Sequence, residues 1–139
     1  MNVLMVTPHL PPHQAANALL PHLLGRGLAE RGHSVRFLTF AAPGAHAEGV
    51  AYVKRRSRRL RATRIPQAVE AVETWMRARP LVAAADVVHV HSSTWMNHVA
   101  ARVAVRRRTP YVLTHYGTCL LYTSPSPRDL STSRMPSSA

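Results

Sequence analysis

Three histidines stand where predicted strands end, and their side chains are the best suited in this sequence to acid–base or ligand-binding chemistry. His89 and His91 close the segment DVVHVH, and His115 closes PYVLTH. Imidazole changes charge near neutral pH, so a histidine in a cleft can serve as a general acid or base. His89 and His91 lie two residues apart, which places both side chains on one face of a strand. That geometry is compatible with a metal ion, but no third ligand follows at a recognisable spacing, and no metal is expected.

The rest of the sequence supplies the elements that would position these histidines. Short apolar, β-branched segments predict five strands, at 2–7, 34–40, 50–53, 86–91 and 110–115. Apolar residues at three- and four-residue spacing predict helices at 15–31, 67–79 and 95–107. Pro21 is expected to kink the first helix or to delay its start, and Gly32 to end it. This alternation predicts an α/β fold with a Rossmann-like, doubly wound parallel sheet. Ligands bind such sheets outside the carboxyl ends of the strands, where His115 is expected.

The composition is strongly basic. Eighteen Lys and Arg residues face six Asp and Glu residues, a formal net charge of +12. The excess favours anionic partners or surfaces, although a genome rich in arginine codons would produce the same excess. Cys119 is the only cysteine, which excludes an intrachain disulfide and a cysteine-based metal site. No signal peptide and no apolar run of about 20 residues is evident, so we expect a soluble, cytoplasmic protein.

Seven of the basic residues are concentrated in the eleven-residue segment KRRSRRLRATR, at 54–64. The first interpretation is a solvated basic loop. The second is peripheral attachment to the inner face of a membrane, since each basic residue near an anionic surface contributes about 1 kcal/mol. The residues expected to make that contact are Arg55, Arg56, Arg58 and Arg59. Nucleic acid is not expected as a partner, because no aromatic residues stand among the arginines to stack on bases.

The sequence changes character after Thr118. Residues 119–139 contain six serines and three prolines, and no periodicity follows Tyr122. The strings CLLYTSPSPRD and SRMPSSA resemble, in order and in one reading frame, the translation of a transposase-type sequencing adaptor. A natural disordered Ser/Pro tail is the alternative. We therefore predict a truncated domain at 1–118 and a disordered, non-native tail at 119–139.

Three segments resemble the N-terminal domain of family-4-like glycosyltransferases with the GT-B fold. They are VLMVTPHLPP, LAERGHSVRFLT, and DVVHVHS followed by TPYVLTHYGT, and together they span residues 1–118. The resemblance implies the acceptor-side half of an enzyme that transfers a sugar from a nucleotide-sugar donor to an acceptor, with retention of configuration and without a metal or other cofactor. A fragment of a GT-B sugar-nucleotide epimerase is one alternative. A basic α/β domain that binds membranes or nucleic acid is the other.

The same resemblance implies a set of site residues. His115 matches the family's cleft-facing "HG" histidine, which contacts the transferred sugar or the acceptor, although Tyr116 separates it here from Gly117. Ala15 and Ala16 stand where the family often has a Gly-Gly pair, whose backbone N–H groups approach the donor phosphates. Asn17 is expected as a helix cap or an acceptor contact. The residues expected to bind substrate are Ala15, Ala16, Asn17, His91, Ser92 and Gly117, with His115 catalytic.

The remaining donor-binding groups of the family belong to its C-terminal domain. We expect that domain to be missing from this sequence. The chain alone is therefore expected to be inactive as a transferase.

Overall fold

The computed structural model describes residues 1–40, 50–52 and 64–116, with only the backbone described at 50–52 and 64–67. In these ranges five strands alternate with three helices. The strands are β1 (Asn2–Thr7), β2 (Ser34–Thr39), β3 (Val50–Tyr52), β4 (Val87–His91) and β5 (Tyr111–Thr114). The helices are α1 (Ala16–Glu30), α2 (Arg64–Ala83) and α3 (Trp95–Arg107). Every predicted segment forms, with small shifts at its ends, and α2 runs longer than predicted because the helix continues through Pro80.

All five strands are parallel, in the order β3-β2-β1-β4-β5. From β1 the chain crosses to β2 in one direction along the sheet, and from β4 it crosses to β5 in the other. Because such crossovers are right-handed, α1 covers one face of the sheet, while α3, with α2 packed beside it, covers the opposite face. The predicted doubly wound, Rossmann-like α/β sheet is confirmed. The order reverses between β1 and β4, so the loops that follow these two strands leave toward opposite faces.

The core lies along β1 and β4, the central strand and its neighbour. Leu4, Met5 and Val6 on β1 are at most 1% exposed, and Val88 and Val90 on β4 are equally buried. Such continuous apolar strands are typical of parallel sheets covered on both faces. The edge strand β5 differs, since its three apolar residues Tyr111, Val112 and Leu113 are about half exposed.

Helix α1 begins at Ala16 and passes through Pro21, so the expected later start is wrong. Proline has no N–H group, and at this position it leaves the carbonyl of Asn17 without its usual helical donor. The hydroxyl of Thr7, at the end of β1, donates a hydrogen bond to that carbonyl. The helix is therefore completed by the strand beside it. Gly32 follows the C-terminus of α1 at φ 81°, the left-handed conformation expected for it.

Candidate functional site at the carboxyl edge of the sheet

The reversal in strand order creates a crevice at the carboxyl ends of β1 and β4. Thr7, His91 and Thr114 end β1, β4 and β5, and they lie side by side because the strands are parallel and in register. In open α/β sheets this crevice is the usual ligand-binding position. One wall consists of the loop that enters α1. The other consists of the Ser92–Thr94 loop, which enters α3, and of the residues after β5.

His89 and His91 share one face of β4, as the spacing predicts, with their ring centroids 4.0 Å apart. Nε2 of His89 lies 2.8 Å from the Thr114 hydroxyl. Nδ1 of His91 lies 2.7 Å from the Tyr116 hydroxyl, and its Nε2 lies 3.3 Å from the sulfur of Met5. The two imidazoles thus connect β4 to β1 on one side and to the end of β5 on the other.

The partners of His91 determine where its proton resides. A thioether sulfur can only accept a hydrogen bond, so Nε2 carries a hydrogen. When the ring is neutral, Nδ1 has no hydrogen and accepts from the Tyr116 hydroxyl. Burial, and secondarily the neighbouring His89, lower the pKa of His91 to about 4. Burial also lowers the pKa of His89 and raises the pKa of the Tyr116 hydroxyl, so both groups are held neutral.

The turn between β4 and α3 is held in a strained conformation by Asn97. Ser92 has φ 73°, which is uncommon for a residue with a side chain and marks a constrained position. Its N–H donates to the Thr114 carbonyl at 2.8 Å. The Asn97 amide donates to the carbonyls of His91 and Ser92, the latter at 2.6 Å. One buried side chain in the first turn of α3 therefore fixes both residues that lead out of β4.

His115 lies at the solvent-exposed side of the crevice. Its side chain is exposed, and its Nε2 lies 3.1 Å from the Ser93 hydroxyl. The adjacent Tyr116 is anchored inward on His91, with the two rings nearly parallel at 5.9 Å. Because residue 116 is tied to β4, the preceding residue is held at the rim of the crevice with its imidazole accessible.

The opposite wall presents backbone N–H groups at the start of α1 that have no partner in the described part of the chain. Ala15 is the residue before the helix, and no side chain caps it. The first N–H groups of a helix have no partner within the helix and carry partial positive charge, which suits an anion. His13 orders the approach: its Nδ1 accepts the N–H of Ala15 at 3.3 Å, and its ring stacks on His9 at 4.3 Å. The N–H groups of Ala16 and Asn17 lie in the turn that contacts the carboxyl end of β1 through Thr7.

The expectation that Asn17 caps α1 is wrong, because Asn17 lies inside the first turn. Its side-chain oxygen is buried and has no partner among the described residues. Ser92 and His91 reach the same edge, but His91 is 1% exposed and both of its ring nitrogens are engaged. His91 thus lies behind the surface of the crevice, and Ser92 and His115 stand nearer to solvent.

Several predicted residues lie outside the described ranges, namely Gly117, Arg55, Arg56, Arg58 and Arg59. Within the described ranges, no three His, Cys, Asp or Glu side chains converge as metal ligands. No helix in this part of the chain has the length and hydrophobicity needed to cross a membrane.

Asn97, Ser93 and Tyr116 are structural parts of the site that the sequence did not identify. The signal for Asn97 was present, since it is a polar residue on the apolar face of α3. Tyr116 gave no such signal, because its partner is 25 residues away on another strand.

Taken together, the crevice combines a helix N-terminus on one wall with an exposed histidine on the other. A neutral, hydrogen-bonded histidine pair supports the second wall from beneath. Such a site can hold a phosphorylated ligand and place a proton donor or acceptor beside it.

Comparison with known proteins identifies relatives of this architecture. Residues 21–135 match the family described as the Glycosyl transferase 4-like domain, a range that extends past Thr118 and so does not mark a boundary there. No curated protein sequence matches the chain.

Solved structures share the fold at low sequence identity. A UDP-N-acetylglucosamine 2-epimerase superposes with a TM-score of 0.58 at 15% identity, covering 94% of this chain and 37% of that one. UDP-GlcNAc 2-epimerase from Neisseria meningitidis, bound to UDP-GlcNAc, gives 0.58 at 16% identity, with 94% and 36% covered. The C-terminal domain of a hydrogenase from Pyrococcus furiosus gives 0.56 at 11% identity, with 81% and 90% covered. The chain thus spans little more than a third of the length of these epimerases.

Proposed function

Because this chain belongs to the glycosyl transferase 4-like domain family, we propose that it is the acceptor-side half of a glycosyltransferase that moves a sugar from a nucleotide-sugar donor to an acceptor. The observation that carries the proposal is the pairing, across one crevice, of the free N–H groups that begin α1 with the exposed imidazole of His115. The first can bind a donor phosphate, and the second can contact the transferred sugar or the acceptor.

The positions of these groups give each of them a separate role in the proposed reaction. The α1 N-terminus stabilises negative charge, which grows on the diphosphate as it leaves the sugar. His115 is held within hydrogen-bonding distance of Ser93, so its Nε2 is oriented while the ring stays accessible. Gly117 and Ser92 are proposed as further substrate contacts. Retention of configuration, and the absence of any metal or other cofactor, are part of this proposal.

The proposal assigns the rest of the donor site to a second domain. Since the chain spans about a third of the epimerases it superposes on, a crevice of this kind would be closed by a further α/β unit. We propose that residues 1–118 are truncated, that residues 119–139 are non-native, and that this chain alone is inactive. We also propose a cytoplasmic location, with Arg55, Arg56, Arg58 and Arg59 contacting an anionic membrane and no contact with nucleic acid.

The second candidate is half of a sugar-nucleotide epimerase. The specific observation in its favour is the superposition on two UDP-GlcNAc 2-epimerases over 94% of this chain. The two reactions differ in their products. A transferase releases a nucleotide only when an acceptor is present, whereas an epimerase isomerises the sugar nucleotide without one.

The test begins with the genomic DNA that follows the Thr118 codon. The open reading frame found there is expressed with residues 1–118 and supplied with UDP- and GDP-sugars, with and without candidate acceptors. Acceptor-dependent nucleotide release, seen by mass spectrometry, supports the transferase. Isomerisation of the sugar nucleotide without an acceptor overturns it in favour of the epimerase.

His115 is tested in the same enzyme. General acid–base or substrate contacts typically contribute about 10²–10⁴-fold, so His115→Ala is expected to lower kcat/KM by at least about 100-fold. His98→Ala is the matched control, because His98 is an exposed histidine on α3 outside the crevice. Equal activity of the His115→Ala variant and the parent would show that His115 has no role in the site.

A further inference from the structure

The outer face of the helix pair α2–α3 carries a second concave site, on the face of the sheet opposite α1. A groove of about 260 Å³ runs between the two helices. Its apolar floor is formed by Ala71, Val72, Trp75, Val99 and Val103. This volume lies just below the range of about 300–1,000 Å³ typical of small-molecule sites. The groove therefore has room for one small ligand or one segment of an aliphatic chain.

The walls of this groove are cationic. Arg102 and Arg106 line it, one helical turn apart on α3. Within the described residues neither guanidinium has a carboxylate partner, whereas the nearby Arg77 is neutralised by Glu73 at 3.2 Å. The guanidinium of Arg79 lies 4.6 Å from the centre of the Trp75 ring. Among the described residues no acidic side chain lines the groove, so the two arginines of α3 place positive charge beside an apolar floor.

The apolar residues of this face are unusually exposed for their size. Val72 and Met76 on α2 are 54% and 55% exposed, and Trp75 is 38% exposed. Exposed apolar clusters with a polar rim commonly mark a ligand or partner site. A hydrated simple anion would leave the floor uncovered, and a neutral hydrocarbon would leave the arginines without partners. Both features are satisfied only by a molecule with an apolar body and an anionic head.

We propose that the α2–α3 groove binds a single amphiphile with an aliphatic body and an anionic carboxylate or phosphate head. The aliphatic body lies on Trp75 and the valines. The head group lies between Arg102 and Arg106, where two guanidinium groups can donate to its oxygens. This site is separate from the crevice at the carboxyl edge and does not depend on the transferase proposal.

Dodecanoate, used far below the concentration at which it forms micelles, is the probe. Binding is followed by quenching of tryptophan fluorescence with 12-bromododecanoate. Trp75 lies in the groove, and the only other tryptophan, Trp95, packs on Phe40 at 5.5 Å. Saturable quenching is expected in the parent and in Trp95→Phe, and it is expected to be lost in Trp75→Phe. Quenching that survives in Trp75→Phe overturns the proposal.

The contribution of Arg102 and Arg106 to binding can be tested against two other arginines at the same end of α3. Arg102→Gln with Arg106→Gln is expected to weaken dodecanoate binding about tenfold, since each exposed ion pair contributes up to about 1 kcal/mol. Arg107→Gln with Arg108→Gln removes the same charge from exposed residues outside the groove, and is expected to change affinity less than twofold. Equal losses in the two double variants would reduce the effect to net charge and overturn the site.

Two further probes separate the alternatives. Dodecanol, which lacks the charge, is expected to bind about tenfold more weakly than dodecanoate; equal binding overturns the role of the arginines. Binding of an acidic amphipathic peptide, or of phosphatidylglycerol vesicles, by a chain that does not bind dodecanoate overturns the proposal in favour of a protein or membrane partner.

Discussion

The hydroxyl of Thr7 donates a hydrogen bond to the carbonyl of Asn17, the carbonyl that Pro21 leaves without a helical donor. This bond joins the end of β1 to the first turn of α1, which carries the free N–H groups at the crevice. The proline is thus compatible with the helix because a neighbouring strand supplies the missing donor. Thr7 itself is fully buried.

We expect Thr7→Val to lower the free energy of unfolding by about 1–3 kcal/mol, because it removes the hydroxyl that donates to the half-buried Asn17 carbonyl. Pro21→Ala restores the N–H at position 21. In that background Thr7→Val is expected to cost about 1 kcal/mol less, a coupling that a double-mutant cycle in urea would measure. Additive effects of the two substitutions would contradict the compensation.

The pH dependence of stability is expected to report the buried His91. Its pKa is about 4 in the folded chain against 6.5 for the free side chain. Between these values the unfolded chain binds a proton that the folded chain does not, so stability falls as the pH is lowered from 6.5 and the loss levels off below about 4. The shift corresponds to roughly 3 kcal/mol.

The measurement is urea unfolding of the parent and of His91→Gln between pH 7 and pH 4. The carboxylates titrate in both chains, so their contribution cancels in the difference. The difference in free energy of unfolding between the parent and His91→Gln is expected to shrink by roughly 3 kcal/mol as the pH is lowered from 7 to 4. A constant difference would show that His91 does not carry the shift.

The strained turn after β4 is expected to depend on the amide of Asn97. Asn97→Asp keeps the shape but replaces the NH2 group that bonds the carbonyls of His91 and Ser92 with an acceptor. Burial disfavours the carboxylate and raises its pKa, so the loss of stability should exceed about 2 kcal/mol at pH 7 and become smaller in acid, where the protonated carboxyl can donate.

Thermal unfolding at pH 7 and pH 5 would measure this effect. His98→Asp, at the adjacent exposed position on α3, is the control. If the two variants are equally stable at both pH values, Asn97 is not the residue that holds the turn.

Much of this architecture follows from local sequence patterns, whereas the site depends on contacts between distant residues. The five strands and the parallel sheet were predictable because apolar periodicity and the spacing of β1, α1 and β2 leave few topologies. The two-residue spacing of His89 and His91 likewise predicts that they share one face of β4.

The delay that Pro21 was expected to cause in the start of α1 does not occur, because the carbonyl that Pro21 leaves without a donor is bound by Thr7, ten residues before Asn17 and on another element. The burial of His91 depends on Met5 and Tyr116, which are 86 and 25 residues away, and no local pattern encodes such pairings.

The packing of α1 on β2 can be tested by comparing alanine substitutions at two glycines of α1. A Cβ at Gly25 would lie 2.6 Å from the ring of Phe37, too close without movement of the ring. Gly25→Ala is expected to destabilise the chain by about 1–3 kcal/mol. A Cβ at Gly27 meets only the flexible end of Arg31, at 3.3 Å, so Gly27→Ala is expected to stabilise by about 0.5–1 kcal/mol through helix propensity. Equal changes in the urea midpoint would contradict this packing.

The anion site at the start of α1 can be tested without removing a side chain. Ala16 is the first helical residue, where proline is tolerated, and Ala15 has the extended conformation, φ −76° and ψ 153°, that precedes a proline. Ala16→Pro should therefore preserve the fold while deleting one N–H group. If a donor phosphate binds there, affinity for UDP, measured by calorimetry, is expected to fall about tenfold, because a hydrogen bond to a charged group contributes about 1.5–3 kcal/mol. Ala16→Ser keeps the N–H and is the control, so equal affinity of the two variants for UDP would place the phosphate elsewhere in the crevice.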